Sequence, residues 1–238
     1  MKITTAMAMA AGRGTRMRPL TDDRPKAMVE VCGKTLIDWT LDKFAEAGVT
    51  RAVVNVHHYA DMLEDHISGR AAPRIVISDE RETLLETGGG LVKAAPLLGA
   101  DPVFVANSDS VWIDEGEAGE LSRLAAAFDP EEMDALLLLA PLERQLGYGG
   151  KGDFLLHEDG RIERRGERDS APFAYAGVQV MHPRLLEGEP EEVFSTNTLW
   201  DKALKASRVF GLPMESYWMH VGDPDAKTEA ENRLGCDP

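Results

Sequence analysis

Ile3-Thr4-Thr5-Ala6-Met7-Ala8-Met9 reads as a β-strand. Directly behind it comes Ala10-Ala11-Gly12-Arg13-Gly14-Thr15-Arg16-Met17-Arg18-Pro19-Leu20-Thr21, and after two aspartates Arg24-Pro25-Lys26. Two glycines separated by one residue let a backbone approach a ligand closely and turn its N–H groups toward an anion. A dinucleotide fingerprint needs a third glycine where Met17 stands, and a Walker loop needs Gly-Lys-Ser/Thr, so neither pattern applies. The positive charge comes instead from five side chains, Arg13, Arg16, Arg18, Arg24 and Lys26. Arginine offers a forked pair of donors to phosphate oxygens, and lysine a mobile point charge. A solvated glycine turn is the bland alternative, and the strand in front of the loop argues for a phosphate site.

The charge around this loop supports that reading. The chain has 238 residues with 26 Lys and Arg against 41 Asp and Glu, a net charge of −15. Residues 1–26 carry a local +4, which leaves −19 on the other 212. Nucleic-acid binding needs a basic footprint and is not expected; a basic island in an acidic chain suits a small anion. The longest strongly apolar run, Ala135 to Leu142, is far below the ~18 residues of a spanning helix. Met7 to Ala11 is followed by arginines, the wrong order for a signal peptide. Cys32 and Cys236 are expected as single thiols in a reducing, cytoplasmic setting.

Outward from the loop, strand-like runs recur at Ala52–Val56, Arg74–Ser78, Val103–Ala106 and Ala135–Ala140. Amphipathic stretches lie between them. Ile37, Leu41 and Phe44 have helical spacing with Gly48 as the stop, and Leu121, Leu124 and Phe128 repeat that spacing. The alternation predicts an α/β fold, a doubly wound, mostly parallel sheet with helices on both faces. After residue 141 the style changes. Asp153–His157 and Arg161–Arg165 flank Asp159-Gly160 and predict a hairpin. Phe173–Met181 and Glu215–Met219 read as strands, Thr198–Ala206 as a helix, and Asp223-Pro224 opens a last helix. No linker divides the chain, so one domain is expected over residues 1–238. Ligands of such sheets sit at the carboxyl ends of strands, which directs attention to the residues after Met9, Ala106 and Met181.

Leu85-Glu86-Thr87-Gly88-Gly89-Gly90 is expected as a loop at a helix start, with backbone groups free for a flat base; a flexible loop is the alternative. Val103-Phe104-Val105-Ala106-Asn107-Ser108-Asp109 ends an apolar strand in a carboxylate, a place suited to Mg²⁺, which takes oxygen ligands and shares them with phosphates. A loop-capping Asp is the alternative. His57, Asp61 and Asp65 recur every four residues but have no partner cluster and read as solvated. No Gly-x-Ser-x-Gly elbow is present, so nucleophilic catalysis has no support.

Ala10 to Thr21 with Arg24-Pro25-Lys26 resembles the signature of the sugar-1-phosphate nucleotidyltransferases, the pyrophosphorylase group, and the order of motifs extends the resemblance over nearly all of the chain. The resemblance implies a Rossmann-like nucleotide-binding core to about residue 141 and a smaller, mixed sugar-phosphate-binding portion after it. It implies that Ala11, Gly12, Arg13, Gly14, Thr15 and Arg16 cradle a triphosphate, that Lys26 reaches its α-phosphate, and that Thr87, Gly88 and Asn107 contact the nucleotide. Asp153, Tyr175, Gly177 and Asn197 match stretches that contact the sugar phosphate, with Trp200-Asp201 nearby. Arg16, Lys26 and Asp109 are the implied catalytic residues, and Asp109 the implied metal ligand.

Two departures stand out. The chain has Ser108 where the family has Gly. It also has His220, in Trp218-Met219-His220-Val221-Gly222-Asp223, where the family has a second metal-binding Asp. Mg²⁺ is the expected cofactor, with His220 as a candidate ligand in addition to Asp109. Because imidazole suits Mn²⁺ better than Mg²⁺, Mn²⁺ is the variant that His220 favours. An ion held mainly by Asp109 and phosphates, or a lost second ligand with low activity, stays open. The implied reaction joins a nucleoside triphosphate to a sugar 1-phosphate, with UTP and N-acetylmuramate 1-phosphate of cell-wall recycling as the expected pair. A guanylyl- or cytidylyltransferase acting on mannose, heptose or glucose 1-phosphate stays open, as does a nucleotide-sensing module that does not transfer.

Overall fold

The computed structural model describes residues 1–236. In chain order the strands are β1 (Thr5–Met9), β2 (Glu30–Val31), β3 (Lys34–Thr35), β4 (Arg51–Val56), β5 (Arg74–Asp79), β6 (Val103–Asn107), β7 (Ser110–Val111), β8 (Ala135–Pro141), β9 (Gln145–Leu146), β10 (Phe154–Leu156), β11 (Ile162–Arg164), β12 (Phe173–Met181), β13 (Val209–Pro213) and β14 (Trp218–His220). The helices are α1 (Leu36–Glu46), α2 (Ala60–Ser68), α3 (Glu86–Leu98), α4 (Glu120–Ala127), α5 (Thr196–Lys205) and α6 (Pro224–Leu234).

The main sheet runs β5-β4-β1-β6-β12-β8-β13, with the β10/β11 hairpin joined to the start of β12 through Phe154 and Phe173. Strands β1, β4, β5 and β6 are parallel, as the alternation of elements predicts. Both faces are covered. Ile37, Leu41 and Phe44 of α1, Leu63 and Ile67 of α2, and Leu121 and Leu124 of α4 pack on Ala6, Ala8, Ala52 and Val54. Leu91, Ala94 and Leu98 of α3 and Leu199 of α5 pack on Met7, Val53 and Val105 from the other side. Each fully buried Leu, Ile or Phe among them contributes on the order of 1.5–3 kcal/mol. Helix α1 begins at Thr35, whose hydroxyl accepts from the Asp38 N–H, and ends at Gly48 in the left-handed region, where a glycine carries no Cβ penalty.

Four expectations need correction. Strand β12 runs antiparallel to β6, with Val178 opposite Ala106. Its carboxyl end, Met181, therefore lies on the edge away from the ligand side, and its first half (Phe173 to Gly177) lies on the ligand side. The triglycine is not a loop: α3 starts at Glu86 and carries Gly88, Gly89 and Gly90 buried in its first turns. Strand β13, parallel to β8, lies outside the expected set, because Val209–Pro213 is a short run with a central glycine. Cys32 and Cys236 are a disulfide rather than single thiols, with Cα atoms 5.6 Å apart and 204 residues between them in sequence.

A small second sheet, β7-β14-β9, does the positioning. His220 of β14 pairs with Ser110 of β7, and the Val221 N–H donates to the Asp109 carbonyl at 2.9 Å. That register brings His220 beside Asp109. Asp223 accepts from the Ala226 N–H at 2.9 Å and caps α6, with Pro224 in the first turn, as the sequence predicts.

Candidate active site

A cavity of about 440 Å³ opens behind Met9 and Asn107, the carboxyl ends of β1 and β6. Ala11, Gly12, Gly14, Thr15, Arg16 and Lys26 wall one side of it, and Glu86, Thr87, Asn107 and Asp109 wall another. Two glycines earn their places differently. Gly14 has φ of +61°, and a Cβ there would meet the Lys26 Cβ at 2.7 Å. A Cβ on Gly12 would meet no protein atom within 4 Å, so that wall is bare backbone open to a ligand. Thr21 fastens the loop by donating from its hydroxyl to the Gly14 carbonyl at 2.9 Å.

Two expected nucleotide contacts fall off this wall. Arg13 is exposed outside it. Gly88 is turned to protein: its N–H donates to the Phe194 carbonyl at 2.8 Å, and a Cβ would strike the Phe194 ring at 2.4 Å. It is a packing glycine, and Glu86 and Thr87 take its place on the wall. Glu86 holds a positive φ of 58° without being glycine, a conformation that costs energy and tends to persist at working sites.

At the inner end of the cavity Lys26 Nζ lies 2.7 Å from Asp109 Oδ2, and His220 Nε2 lies 3.4 Å from the same oxygen. The other ring nitrogen of His220 faces the Gly147 carbonyl at 3.2 Å, and the ring stacks on Trp218. Burial alone would raise the Asp109 carboxyl; the Lys26 ammonium and the His220 imidazole outweigh it and hold that carboxyl well below the usual carboxylate range. Both contacts fall on Oδ2, which leaves Oδ1 for a hard cation. Among the described residues no three His, Cys, Asp or Glu side chains converge as a metal cluster. A carboxylate and one imidazole, completed by phosphate oxygens, fit a divalent cation that arrives with its substrate.

Asn55 and Glu80, which sequence reasoning missed, tie the cavity's parts together. Asn55 accepts from the Ala10 N–H at 2.7 Å through Oδ1 and donates through Nδ2 to Glu80 Oε1 at 2.8 Å. The second Glu80 oxygen accepts from the Leu85 N–H at 3.1 Å. Glu80 is fully buried, so these bonds fix the phosphate loop against the start of α3. The available signal was a polar Asn inside an otherwise apolar strand.

A second cavity of about 350 Å³ adjoins the first, and the two share Met9, Thr87, Asn107 and Ser195. Asp153, Tyr175, Asn197 and Trp200 line it. Asp153 is held from both sides: the Tyr148 hydroxyl donates to Oδ1 and the Tyr175 N–H to Oδ2, each at 2.9 Å. Burial and the Asp153 carboxylate push the Tyr148 hydroxyl up to about 12, so it stays a donor. Burial likewise raises Tyr175. Gly177 does not line the cavity. With φ of +75°, inside the irregular stretch of β12, it lets Asn107 and Ser110 pack close; a Cβ would meet Ser110 Oγ at 2.3 Å. Arg164 and Gln179 also line this cavity and were not read from the sequence.

The family model described as "Nucleotidyl transferase" matches residues 5–235. An N-acetylmuramate alpha-1-phosphate uridylyltransferase from Caulobacter vibrioides is 51% identical over 96% of this chain and 96% of its own. One of the same description from Neisseria meningitidis is 33% identical over 97% of this chain and 98% of its own. The inositol-1-phosphate CTP transferase of T. maritima superposes with a TM-score of 0.79 at 20% identity, covering 98% of this chain and 97% of that one, and so shares the fold.

Proposed function

The chain belongs to the nucleotidyl transferase family, and on that premise we propose that it transfers a uridylyl group from UTP to N-acetylmuramate 1-phosphate, releasing pyrophosphate. One observation carries the reaction class: two adjoining cavities share the wall Met9, Thr87, Asn107 and Ser195, and the cationic loop lines only one of them. The loop side suits a triphosphate and the other a sugar, so the two phosphates meet at the shared wall. The choice of UTP and the muramate is supported by the relatives at 51% and 33% identity. A UTP-consuming reaction also supports a cytoplasmic place of action and a role in cell-wall sugar recycling. No helix among the described residues is long and apolar enough to cross a membrane.

The chemistry is an in-line attack of a phosphate oxygen of the sugar 1-phosphate on the α-phosphorus of UTP. The nucleophile is already an anion and needs no general base. The phosphates alone bring about six negative charges together, so catalysis is positioning and charge neutralisation. The bare backbone of Gly12 admits the triphosphate. Arg16 and Lys26 stabilise charge on the α-phosphate and on the departing pyrophosphate. Lys26 starts bonded to Asp109, and incoming phosphate oxygens compete for its ammonium. Asp109, with His220 beside it, would hold the divalent cation, which when bound supplies further neutralisation across the phosphate oxygens.

The test incubates the protein with UTP, GTP, CTP, ATP or dTTP against a panel of sugar 1-phosphates, first with Mg²⁺ and then with Mn²⁺. Pyrophosphate release confined to UTP with N-acetylmuramate 1-phosphate is expected. Release with another pair would keep the mechanism and replace the substrates. Nucleotide binding without release under either metal would overturn the transfer reaction.

A further inference from the structure

The sugar cavity has one cation on its wall. Among the residues that line it, Arg164 is the single Lys, Arg or His, and Asp153 the single carboxylate, already engaged by Tyr148 and Tyr175. Arg164 is held firmly. Its Nε donates to Asp201 Oδ1 at 2.9 Å, one terminal nitrogen donates to Asn197 Oδ1 at 2.8 Å, and the other reaches the Asn197 carbonyl at 3.3 Å and Asp201 at 2.7 Å. The guanidinium also sits over the rings of Phe154 and Trp200, 5.2 and 5.8 Å from their centroids.

A rigid guanidinium is out of place in a pocket for a neutral hexose, whose hydroxyls are served by uncharged groups such as Asn197 and Gln179. Asp201 compensates the charge for folding, but Asp201 does not line the cavity. Arg164 itself does line it. The four contacts to Asp201 and Asn197 engage four of the five N–H donors an arginine carries, which leaves one, on the nitrogen that bonds Asn197 Oδ1, for a ligand. The reacting phosphate does not claim them. It must lie at the wall shared with the nucleotide cavity, and Arg164 lines only the sugar cavity.

We propose that Arg164 is a specificity-determining residue that selects a sugar 1-phosphate carrying a carboxylate on its ring, by a charge-assisted hydrogen bond at the Trp200 end of the cavity. The inference rests on the reading of the previous section, since N-acetylmuramate differs from N-acetylglucosamine by one lactyl ether bearing a carboxylate. It adds the residue that reads that difference. The guanidinium keeps its Asp201 partner either way, so an analogue without the carboxylate forgoes one charge-assisted hydrogen bond and its share of the affinity.

The experiment measures kcat and KM for N-acetylmuramate 1-phosphate and for N-acetylglucosamine 1-phosphate, at saturating UTP, in the wild type, Arg164→Gln and Arg164→Lys. Arg164→Gln should raise KM for the muramate about 10- to 100-fold, the range for a lost hydrogen bond between charged groups. KM for UTP and for the neutral sugar should change little, so the preference between the two sugars collapses. Arg164→Lys should recover part of the muramate affinity through its charge. It also guards against a packing artefact, because Lys can keep an aliphatic stem over Phe154 and Trp200. Equal losses on both sugars, or none on either, with a wild type that prefers the muramate, would overturn the role of Arg164 alone. A wild type that uses only the neutral sugar would overturn the substrate reading and this inference together.

Discussion

In the free protein the ammonium of Lys26 lies 2.7 Å from Asp109 Oδ2, so the innermost cation of the loop starts with its charge matched. A triphosphate brings several oxygens to compete for that ammonium. The loss on Lys26→Ala therefore falls on the transition state, where charge on the leaving pyrophosphate grows. Turnover should drop about 100-fold or more, as for other lost electrostatic donors. Steady-state kinetics checks this, and a tenfold loss or less would reject the role. His220, 3.4 Å from Asp109 Oδ2, is untouched by that substitution. Lys26 and Asp109 were both legible in the sequence, because one closes a glycine-arginine loop and the other ends an apolar strand. Arg164 was not: in Gly160-Arg161-Ile162-Glu163-Arg164-Arg165 it reads as one of several solvated charges, and only the fold puts it against Trp200.

Helix α3 shows how an element can match in sequence and differ in meaning. Three consecutive glycines suggest freedom, yet here they bring α3 against the segment before α5. A Cβ on Gly89 would lie 1.9 Å from the Glu192 carbonyl oxygen, a backbone atom with little room to yield. Gly89→Ala should therefore destabilise the protein by about 1–3 kcal/mol, the usual cost of overpacking. It should also weaken both substrates, since Ser195, just beyond that contact, lines both cavities. A thermal melt together with both KM values checks this; an unchanged melting temperature would show that the segment gives way freely. A second element-scale prediction concerns Asp114, ahead of α4. Its Oδ1 accepts from the Glu120 N–H at 2.9 Å and from Trp112 Nε1 at 3.0 Å, and Oδ2 accepts from Lys43 at 2.7 Å. Burial raises the Asp114 carboxyl, but Lys43 and the Glu120 N–H outweigh it and hold it below the ordinary carboxylate value. A depressed carboxylate stabilises fully above its unfolded value and loses that contribution as pH falls through its folded one. Asp114→Asn should thus melt lower than the wild type near neutral pH, with the gap closing below about pH 4. A gap constant from pH 7 to pH 3 would rule out the charge as its source.

At the scale of the whole molecule, the two halves of the sequence share one sheet. The parallel β5-β4-β1-β6 block, legible from its alternation with helices, continues directly into β12, β8 and β13. What the sequence concealed was direction. Phe173–Met181 is plain as a strand, but nothing local says that it enters antiparallel to β6 and so offers its first residues to the ligand side. The cysteine pair was concealed by distance. Cys32 sits at the turn between β2 and β3, just beyond the phosphate loop, and Cys236 follows α6, the helix behind His220. The bond thus joins the segments that carry Lys26 and His220, across a separation of 204 residues. Constraining so long a loop removes entropy from the unfolded chain, typically worth about 2–4 kcal/mol. In a domain of this size that corresponds to roughly 5–15 °C in melting temperature. Reduction with dithiothreitol should lower the wild-type melt by such an amount, and Cys236→Ser should melt lower by the same amount without reductant and not respond to it. The active-site contacts should persist at moderate temperature, because α6 is also held to this turn by the Cys32 N–H donating to Glu231 at 3.3 Å. Reduced wild type and Cys236→Ser should therefore keep turnover near that of the oxidised protein at 25 °C. A melt that ignores the reductant would remove the bond as a source of stability. A loss of turnover at 25 °C that follows reduction would instead make the pair part of how Lys26 and His220 are held together.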